Sequence, residues 1–169
     1  MKQKLYWLVL ALATAMQVAT ADSAASYPPP LKPEMQEAKA AHLAAQVLSR
    51  YHYKPVVLDD ALSTETFDQY LKALDPERLY FLQSDIDLLA VDRTRLDDAI
   101  LTEDLRAPFD IFNLYQRRLA ERMSYSRSLL RSGFDFKRDE TLQIDRKDQP
   151  WPATEAQLHE LWRKTVKND

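Results

Sequence analysis

The sequence predicts an all-α fold, an irregular multi-helix array of about five helices, from three observations. Leucine and alanine occur 25 and 20 times, against seven valines and four isoleucines, which is a bias toward helix formers. Apolar residues recur at steps of three and four along much of the chain. Gly133 is the only glycine among 169 residues, so glycine-rich phosphate loops, dinucleotide-binding fingerprints and nucleophile elbows are excluded.

The first 21 residues have the features of a secretory signal peptide. Lys2 and Lys4 precede an apolar run from Leu5 to Val18, and Ala19-Thr20-Ala21 forms an A-x-A cleavage site. An uncleaved anchor is the alternative, but the apolar run is short for a helix that spans a bilayer. We therefore expect export to the periplasm, cleavage after Ala21 and no permanent membrane anchor.

Residues 22–33 form a proline-rich leader, and residues 34–169 form the predicted helical domain. The run Pro28–Pro30 favours an extended leader, whereas Pro33 suits the first turn of the first helix. That helix carries a stripe of mainly apolar residues at helical spacing. The members of the stripe are Met35, Ala38, His42, Ala45, Leu48 and Tyr51.

Two further helices are predicted after a short connection. Ser63 is expected to cap the second helix, with a hydrophobic staple between Leu62 and Phe67, and Asp75-Pro76 is expected to end it. The third helix is expected to start at Ser84. It carries the apolar residues Ile86, Leu89, Leu96 and Ile100.

The fourth helix is predicted to be the longest. It is expected from about Ala107 to Arg131, with Pro108 in its first turn and Gly133 placed to end it. After it the helical pattern breaks. Residues 141–145 alternate between polar and apolar side chains, which predicts a short extended segment.

The last helix is predicted from a capping box formed by Thr154 and Gln157. Its apolar stripe consists of Leu158, Leu161, Trp162 and Val166. The sequence ends at Asp169 without a glycine or another C-cap, so we expect a truncated domain. In that case the stripe would be exposed, the C-terminal helix would be marginally stable, and the chain would self-associate through it.

Composition and charge exclude several classes of function. The chain has no cysteine, so disulfides, thiolate metal sites and cysteine nucleophiles are excluded. Removal of the two lysines of the signal peptide would leave 21 basic and 26 acidic residues, a net charge of −5. The charges are interspersed, and no basic cluster marks a nucleic-acid surface. We therefore expect no nucleic-acid partner.

Histidines and paired carboxylates are the first candidates for chemistry. His42, His52 and His159 are too dispersed for a local metal pair, so a metal site would need all three to be assembled by tertiary folding. The favoured interpretation is surface or partly packed histidines. The pairs Asp59-Asp60 and Asp97-Asp98 resemble acid/base carboxylates, but adjacent side chains on a helix point apart and acids before a helix are usually caps.

Serine, arginine and aromatic residues complete the candidates. No Ser-x-x-Lys motif and no local triad occurs, so we predict no catalytic, cofactor-binding or metal-binding residues. Arg117, Arg118 and Arg122 on the long helix are interpreted as a solvated face, with Glu121 paired to Arg117. Aromatic side chains are interpreted as core, with a peptide-binding groove as the alternative. These are Tyr51, Tyr53, Phe67, Tyr70, Tyr80, Phe81, Phe109, Phe112 and Trp162.

A set of short motifs resembles the N-terminal helical region of the tail-specific (C-terminal processing) proteases of Gram-negative bacteria, from about Glu34 onward. The motifs are His52-Tyr53, Phe67-x-x-Tyr70-Leu71-x-x-Leu74-Asp75-Pro76, Tyr80-Phe81-Leu82-x-Ser84-Asp85, Asp135-Phe136, Asp145-Arg146, Trp151-Pro152 and Leu158-x-x-Leu161-Trp162. The resemblance implies further helix, a PDZ domain and a Ser/Lys catalytic domain, none of which lies in this sequence. It carries over no catalytic residue.

The resemblance implies an inactive N-terminal domain, truncated or split from its protease, that serves as scaffold, substrate vestibule or adaptor-docking surface. The whole enzyme would act on unfolded periplasmic polypeptides with apolar C-termini through its missing domains, with an adaptor protein as a further partner. A free-standing periplasmic module that binds peptides or proteins is the alternative. A small enzyme with a site assembled by tertiary folding is a third.

Overall fold

The computed structural model describes residues 27–54 and 56–169. Within these ranges the secondary structure is helical, without strands, which confirms the predicted all-α class. The predicted signal peptide and residues 22–26 of the leader lie outside the described residues. The helices are α1 (Met35–Tyr51), α2 (Asp60–Leu74), α3 (Gln83–Leu89), α4 (Leu96–Leu101), α5 (Arg106–Ser132) and α6 (Glu155–Asn168). None of them combines the length and hydropathy that a bilayer crossing requires.

The predicted position of Pro33 in the first turn of α1 is wrong, because α1 begins at Met35 after the N-cap Glu34, and α2 begins near its predicted position but with a different cap. Before α1, the backbone N–H of Glu34 donates to the Glu37 carboxylate at 2.9 Å. The predicted Ser63 cap is wrong, because the N-cap of α2 lies four residues earlier, where Asp59 accepts from the N–H of Leu62 at 2.9 Å. Ser63 is instead buried inside α2, and its Oγ accepts from the N–H of Leu96 at 2.7 Å.

The predicted third helix is divided into two. α3 ends at Leu89, a 3₁₀ turn covers Ala90–Asp92, and α4 starts at Leu96. The connecting residues 92–95 are all polar, so no apolar side chain holds a continuous helix against the core. The hydrogen bond from Leu96 to Ser63 gives the N-terminus of α4 a partner on α2, which supports a separate start.

The long helix α5 confirms the prediction for residues 107–131 to within one residue at each end. Pro108 is tolerated because it lies in the first turn, where the backbone N–H has no intrahelical partner. Gly133 follows with φ of +74°, a conformation that disfavours a β-carbon, and its N–H donates to the carbonyl of Leu129 at 2.9 Å.

Two groups of buried side chains form the interior. The larger one lies among α2, α3, α4 and α5 and consists of Phe67, Leu71, Phe81, Leu89, Leu96, Ile111 and Leu114. The smaller one joins α6 to the segment before α3 and consists of Leu82, Leu158 and Trp162, with Leu79, Tyr80, Tyr125 and Val166 against it. The expected exposure of the α6 stripe is therefore wrong, since Leu158 is fully buried and Trp162 is 7% exposed.

The connection between α5 and α6 has no regular secondary structure, and residues 141–145 form neither strand nor helix. It is nevertheless fixed at both ends. Glu140 pairs with Arg163 and with Lys167 on α6, and the carbonyl of Pro152 accepts from the N–H of Gln83 at 2.9 Å. Thr154 caps α6 by accepting from the N–H of Gln157, as predicted.

Candidate functional site

Asp75 is the most highly connected carboxylate among the described residues, and it is structural. It is 2% exposed. Its Oδ1 accepts from the N–H of Leu79 at 2.7 Å, and its Oδ2 accepts from the N–H of Phe81 and the Nε1–H of Trp151, both at 3.1 Å. Burial raises the pKa of Asp75, although these N–H donors oppose the shift. The carboxylate joins the end of α2 to the segments before α3 and α6.

The candidate carboxylate pairs diverge. Asp59 caps α2, and Asp60 is the exposed first residue of that helix. Asp97 is buried on α4 and one of its oxygens has no hydrogen-bond partner within the described ranges, whereas Asp98 is exposed. Neither pair brings two carboxylates to one reaction centre.

The three candidate histidines lie apart and contact different groups. His42 Nδ1 lies 3.1 Å from the carbonyl oxygen of Ile100. His52 Nδ1 lies 2.8 Å from the carbonyl oxygen of Lys54, and the His159 ring stacks on Tyr125 with centroids 4.3 Å apart. In the part of the chain that the structure describes, no three histidine, aspartate or glutamate side chains form a metal-binding group.

The arginines of α5 form a partly buried ion-pair network between α5, α3 and α6. Arg118 donates to both oxygens of Asp85, at 2.8 and 2.9 Å, and to Glu121 at 2.9 Å. The bond to Asp85 raises the pKa of the Arg118 guanidinium. Arg122 is 3% exposed and donates to Glu155 at 3.0 Å. The predicted solvated face is therefore wrong for Arg118 and Arg122.

The aromatic residues divide between core and surface. Phe67, Phe81 and Trp162 are buried as predicted, with 2%, 0% and 7% exposure. Tyr51 and Tyr53, at the end of α1, are 73% and 92% exposed. Among the candidate aromatic residues, the exposed ones therefore lie at this end of the molecule.

An apolar groove lies between the C-terminal half of α1 and residues 56–58, with a volume of about 690 Å³. We call it the α1 groove. Six of its apolar lining residues are well exposed, between 37% and 73%, whereas Ala45 and Leu58 are partly buried. The six exposed residues are Leu43, Val47, Tyr51, Val56, Val57 and Leu101. Contiguous exposed apolar surface of this kind makes the α1 groove a candidate binding surface.

Arg50 adds a positive charge to the α1 groove. It lies in the last turn of α1, lines the groove and is exposed. Within the described ranges its guanidinium forms no ion pair. The groove therefore combines an apolar floor with a cation that can pair with a carboxylate.

Sequence analysis did not identify the α1 groove, because the predicted α1 stripe shares only Ala45 and Tyr51 with the groove lining. Val56-Val57-Leu58, just after the helix, is a second apolar run close to it. Two such runs separated by a short connection were a usable signal for an apolar surface. The exposure of that surface depends on tertiary packing and has no local signal.

Comparisons with known proteins agree with the resemblance found in the sequence. The family model described as the tail specific protease N-terminal domain matches residues 44–169. A Tail-specific protease of Haemophilus influenzae is 42% identical over 123 residues, which cover 72% of this chain and 18% of that protein. The chain thus matches less than a fifth of that relative's length. Because the family model covers well over half of the sequence, the chain belongs to the tail-specific protease N-terminal domain family.

Proposed function

We propose that this chain is a non-catalytic binding domain of the tail-specific protease type and that its ligand is an apolar, unstructured polypeptide segment. The observation that carries the proposal is the α1 groove, whose exposed lining includes Leu43 at 60%, Tyr51 at 73% and Val57 at 70%. Covering such side chains is favourable by about 25 cal/mol per Å². A polypeptide that presents several apolar side chains in a row matches this surface.

Arg50 suggests how the ligand is oriented. A segment that ends in a free carboxylate can pair with the guanidinium while its apolar side chains contact Val47 and Val57. The preferred ligand is therefore an apolar C-terminus. This is the class of substrate that the resemblance to tail-specific proteases implies for the whole enzyme.

The hydrogen bonds of the serines support a non-catalytic role. In the described ranges no histidine or lysine contacts a serine hydroxyl, and the Ser63 hydroxyl is buried and bonded to Leu96. Nucleophilic catalysis by serine requires a base within hydrogen-bond distance. Within a larger protease of this family, the domain would hold or deliver polypeptide to a catalytic site located elsewhere. We place this activity in the periplasm, as the predicted signal peptide suggests.

Fluorescence anisotropy tests the binding. The ligand is a labelled peptide of 12 residues that ends in three apolar residues and a free carboxylate. We expect saturable binding, with the peptide recovered intact by mass spectrometry. Val57→Asp should weaken binding at least tenfold, because it introduces a charge into the α1 groove. Leu130→Asp is the matched control: Leu130 is also exposed, at 64%, but lies outside the groove.

The role of Arg50 is tested separately. Amidation of the peptide C-terminus and Arg50→Gln should each weaken binding, and together they should weaken it no more than either change alone. Equal losses for Val57→Asp and Leu130→Asp would contradict the groove. Cleavage of the peptide that disappears on substitution of one serine would contradict the non-catalytic role.

A free-standing binding module is the second candidate, and the burial of α6 favours it. The described residues cover Leu158 and Trp162 without a further element, so the domain has the packing to act alone. The two candidates differ in the consequence of supplying a catalytic region. If the domain serves a protease, adding it to a PDZ and Ser/Lys region of this family should increase cleavage of the peptide. A free-standing module should instead sequester the peptide and slow cleavage.

A further inference from the structure

The leader is held against α5 by an asparagine side chain. Asn113 Oδ1 accepts from the backbone N–H of Leu31, and Asn113 Nδ2 donates to the carbonyl oxygen of Leu31, both at 2.8 Å. Asn113 is 7% exposed and lies at the end of the second turn of α5. These two hydrogen bonds recognise the backbone N–H and C=O of one residue. They do not involve the Leu31 side chain.

The leader lies along α5 without regular secondary structure, and its three consecutive prolines favour an extended backbone. Its residue Tyr27 lines a shallow cavity of about 530 Å³ with Glu121, Ser124 and other residues of α5 and α6. Leu31 is four residue steps from Tyr27, and an extended proline-rich chain covers about 12 Å over that distance. The eight residue steps from Asn113 to Glu121 cover about the same length of helix. The leader therefore lies antiparallel to α5.

The contact between the leader and α5 is small, and it leaves the leader open to displacement by another polypeptide. Tyr27 and Leu31 are 52% and 46% exposed, so the leader is far from fully buried. Pro28–Pro30 lack backbone N–H groups and cannot add donors to the contact. Within the described part of the leader, the side-chain hydrogen bonds to α5 are the two with Asn113.

We propose that this surface of α5, here named the Asn113 site, is a second polypeptide-binding site and that the leader is its intramolecular occupant. The ligand class is an extended polypeptide that offers one N–H and one C=O to the asparagine, preceded by prolines or other residues that hold an extended backbone. A tethered leader acts at an effective concentration of the order of millimolar. It therefore excludes weak ligands and yields to tighter ones.

The Asn113 site is independent of the α1 groove. It lies on α5, shares no lining residue with that groove, and selects the backbone instead of an apolar side chain or a terminal carboxylate. A chain with both sites can hold one extended polypeptide segment at each. Failure of either proposal leaves the other standing.

Leu31→Pro in the full chain tests the proposal, because it removes the N–H that donates to Asn113 and retains the extended backbone. Leu31→Ala is the matched control, since it keeps the N–H. The probe is a peptide with the sequence of residues 27–33 and blocked ends. The measurement is the chemical shift of the Asn113 side-chain amide in a nitrogen–proton NMR spectrum.

We expect the Leu31→Pro chain to bind the peptide with saturable shifts of the Asn113 amide, at least tenfold more tightly than the Leu31→Ala chain. A peptide N-methylated at its leucine should not bind. In the unsubstituted chain, millimolar peptide should move the Leu31 amide signal toward its random-coil position as the leader is displaced. This last measurement needs no variant and holds if Leu31→Pro fails to fold.

Two results would overturn the proposal. The first is an Asn113 amide that does not respond to millimolar peptide in a folded Leu31→Pro chain. The second is equal binding of the N-methylated and unmodified peptides. Either would show that the Asn113 contact only clamps the leader to α5.

Discussion

The apolar stripes of α1 and α6 have similar spacing but different surroundings. On α1, Met35, Leu48 and Tyr51 are 74%, 56% and 73% exposed. On α6, Leu158 and Trp162 are 0% and 7% exposed, and the Trp162 Nε1–H donates to the carbonyl of Leu79 at 2.5 Å. Periodicity identifies a helix face that is stabilised by burial. Periodicity does not indicate whether the same chain or a partner buries that face.

The difference lies in the segments that approach each helix. α6 packs on α5 and on the residues that follow Asp75, where backbone N–H groups and aromatic rings converge. Only Ala38 is buried on α1, and this helix contacts α4. One helix is part of the interior, and the other presents most of its apolar face to solvent.

Removal of Asp75 should cause the largest effect, because Asp75 organises the segments that cover α6. Asp75→Ala leaves buried N–H donors of Leu79, Phe81 and Trp151 without an acceptor, so we expect a loss of about 3–5 kcal/mol in the free energy of unfolding. Chemical denaturation measures it. The control is Asp68→Ala on the same helix, an exposed partner of Arg93, which should cost less than about 1 kcal/mol.

Truncation of one leucine on each helix tests directly whether the two stripes differ in burial. Leu158→Ala should destabilise the domain by about 2–5 kcal/mol, because it opens a cavity in a fully buried position. Leu48→Ala removes a side chain that is 56% exposed and should change stability by less than about 0.5 kcal/mol. Equal losses in urea denaturation would mean that the two stripes have the same environment in solution.

Hydrogen exchange sharpens the same contrast without a substitution. We expect amides in the middle of α6 to exchange nearly as slowly as those in the middle of α5, because both helices contribute to buried clusters. Amides of α1 should exchange at least tenfold faster. Faster exchange in α6 than in α1 would restore the earlier prediction of a marginal C-terminal helix.

Acid titration should give the smallest effect, on the loop that lies against α6. Hydrogen bonds from Arg163 and then Lys167 lower the pKa of Glu140 to about 2. Because the folded-state pKa is lower than the ordinary value, the pairing stabilises the fold above about pH 4.5. The contribution is lost as the pH falls toward 2. Glu140→Gln should therefore flatten the dependence of the urea midpoint on pH between 5 and 2.

Local signals predicted helix positions well and surroundings poorly. The Pro108 and Gly133 signals located α5, and Thr154 located the start of α6, because capping depends on neighbouring residues. Ser63 had equally good capping chemistry, but its hydroxyl accepts from Leu96, 33 residues away. Likewise, nothing near Arg122 in the sequence indicates that Glu155 will meet it and that it will be buried. Such contacts arise only once distant helices are assembled.

The candidate surfaces show the same limit. Analysis of the sequence alone identified the proline-rich leader and the apolar residues of α1. It could not identify Asn113 as the partner of Leu31, because a single buried asparagine in a helix has no distinctive local pattern. It also predicted an exposed apolar face on α6, whereas the structure has the exposed apolar face on α1. Family resemblance was more informative than any single motif, because it combined weak signals along the chain.

The hydrogen bond between Asp75 and Trp151 also constrains the order of events during synthesis. It joins residues 76 positions apart, and the bond between Leu79 and Trp162 joins residues 83 positions apart. A chain that emerges from its N-terminus first has the acceptor long before the donor. The interior therefore cannot be completed until nearly the whole domain has emerged, and the unfinished chain stays open to factors that act on unfolded polypeptides.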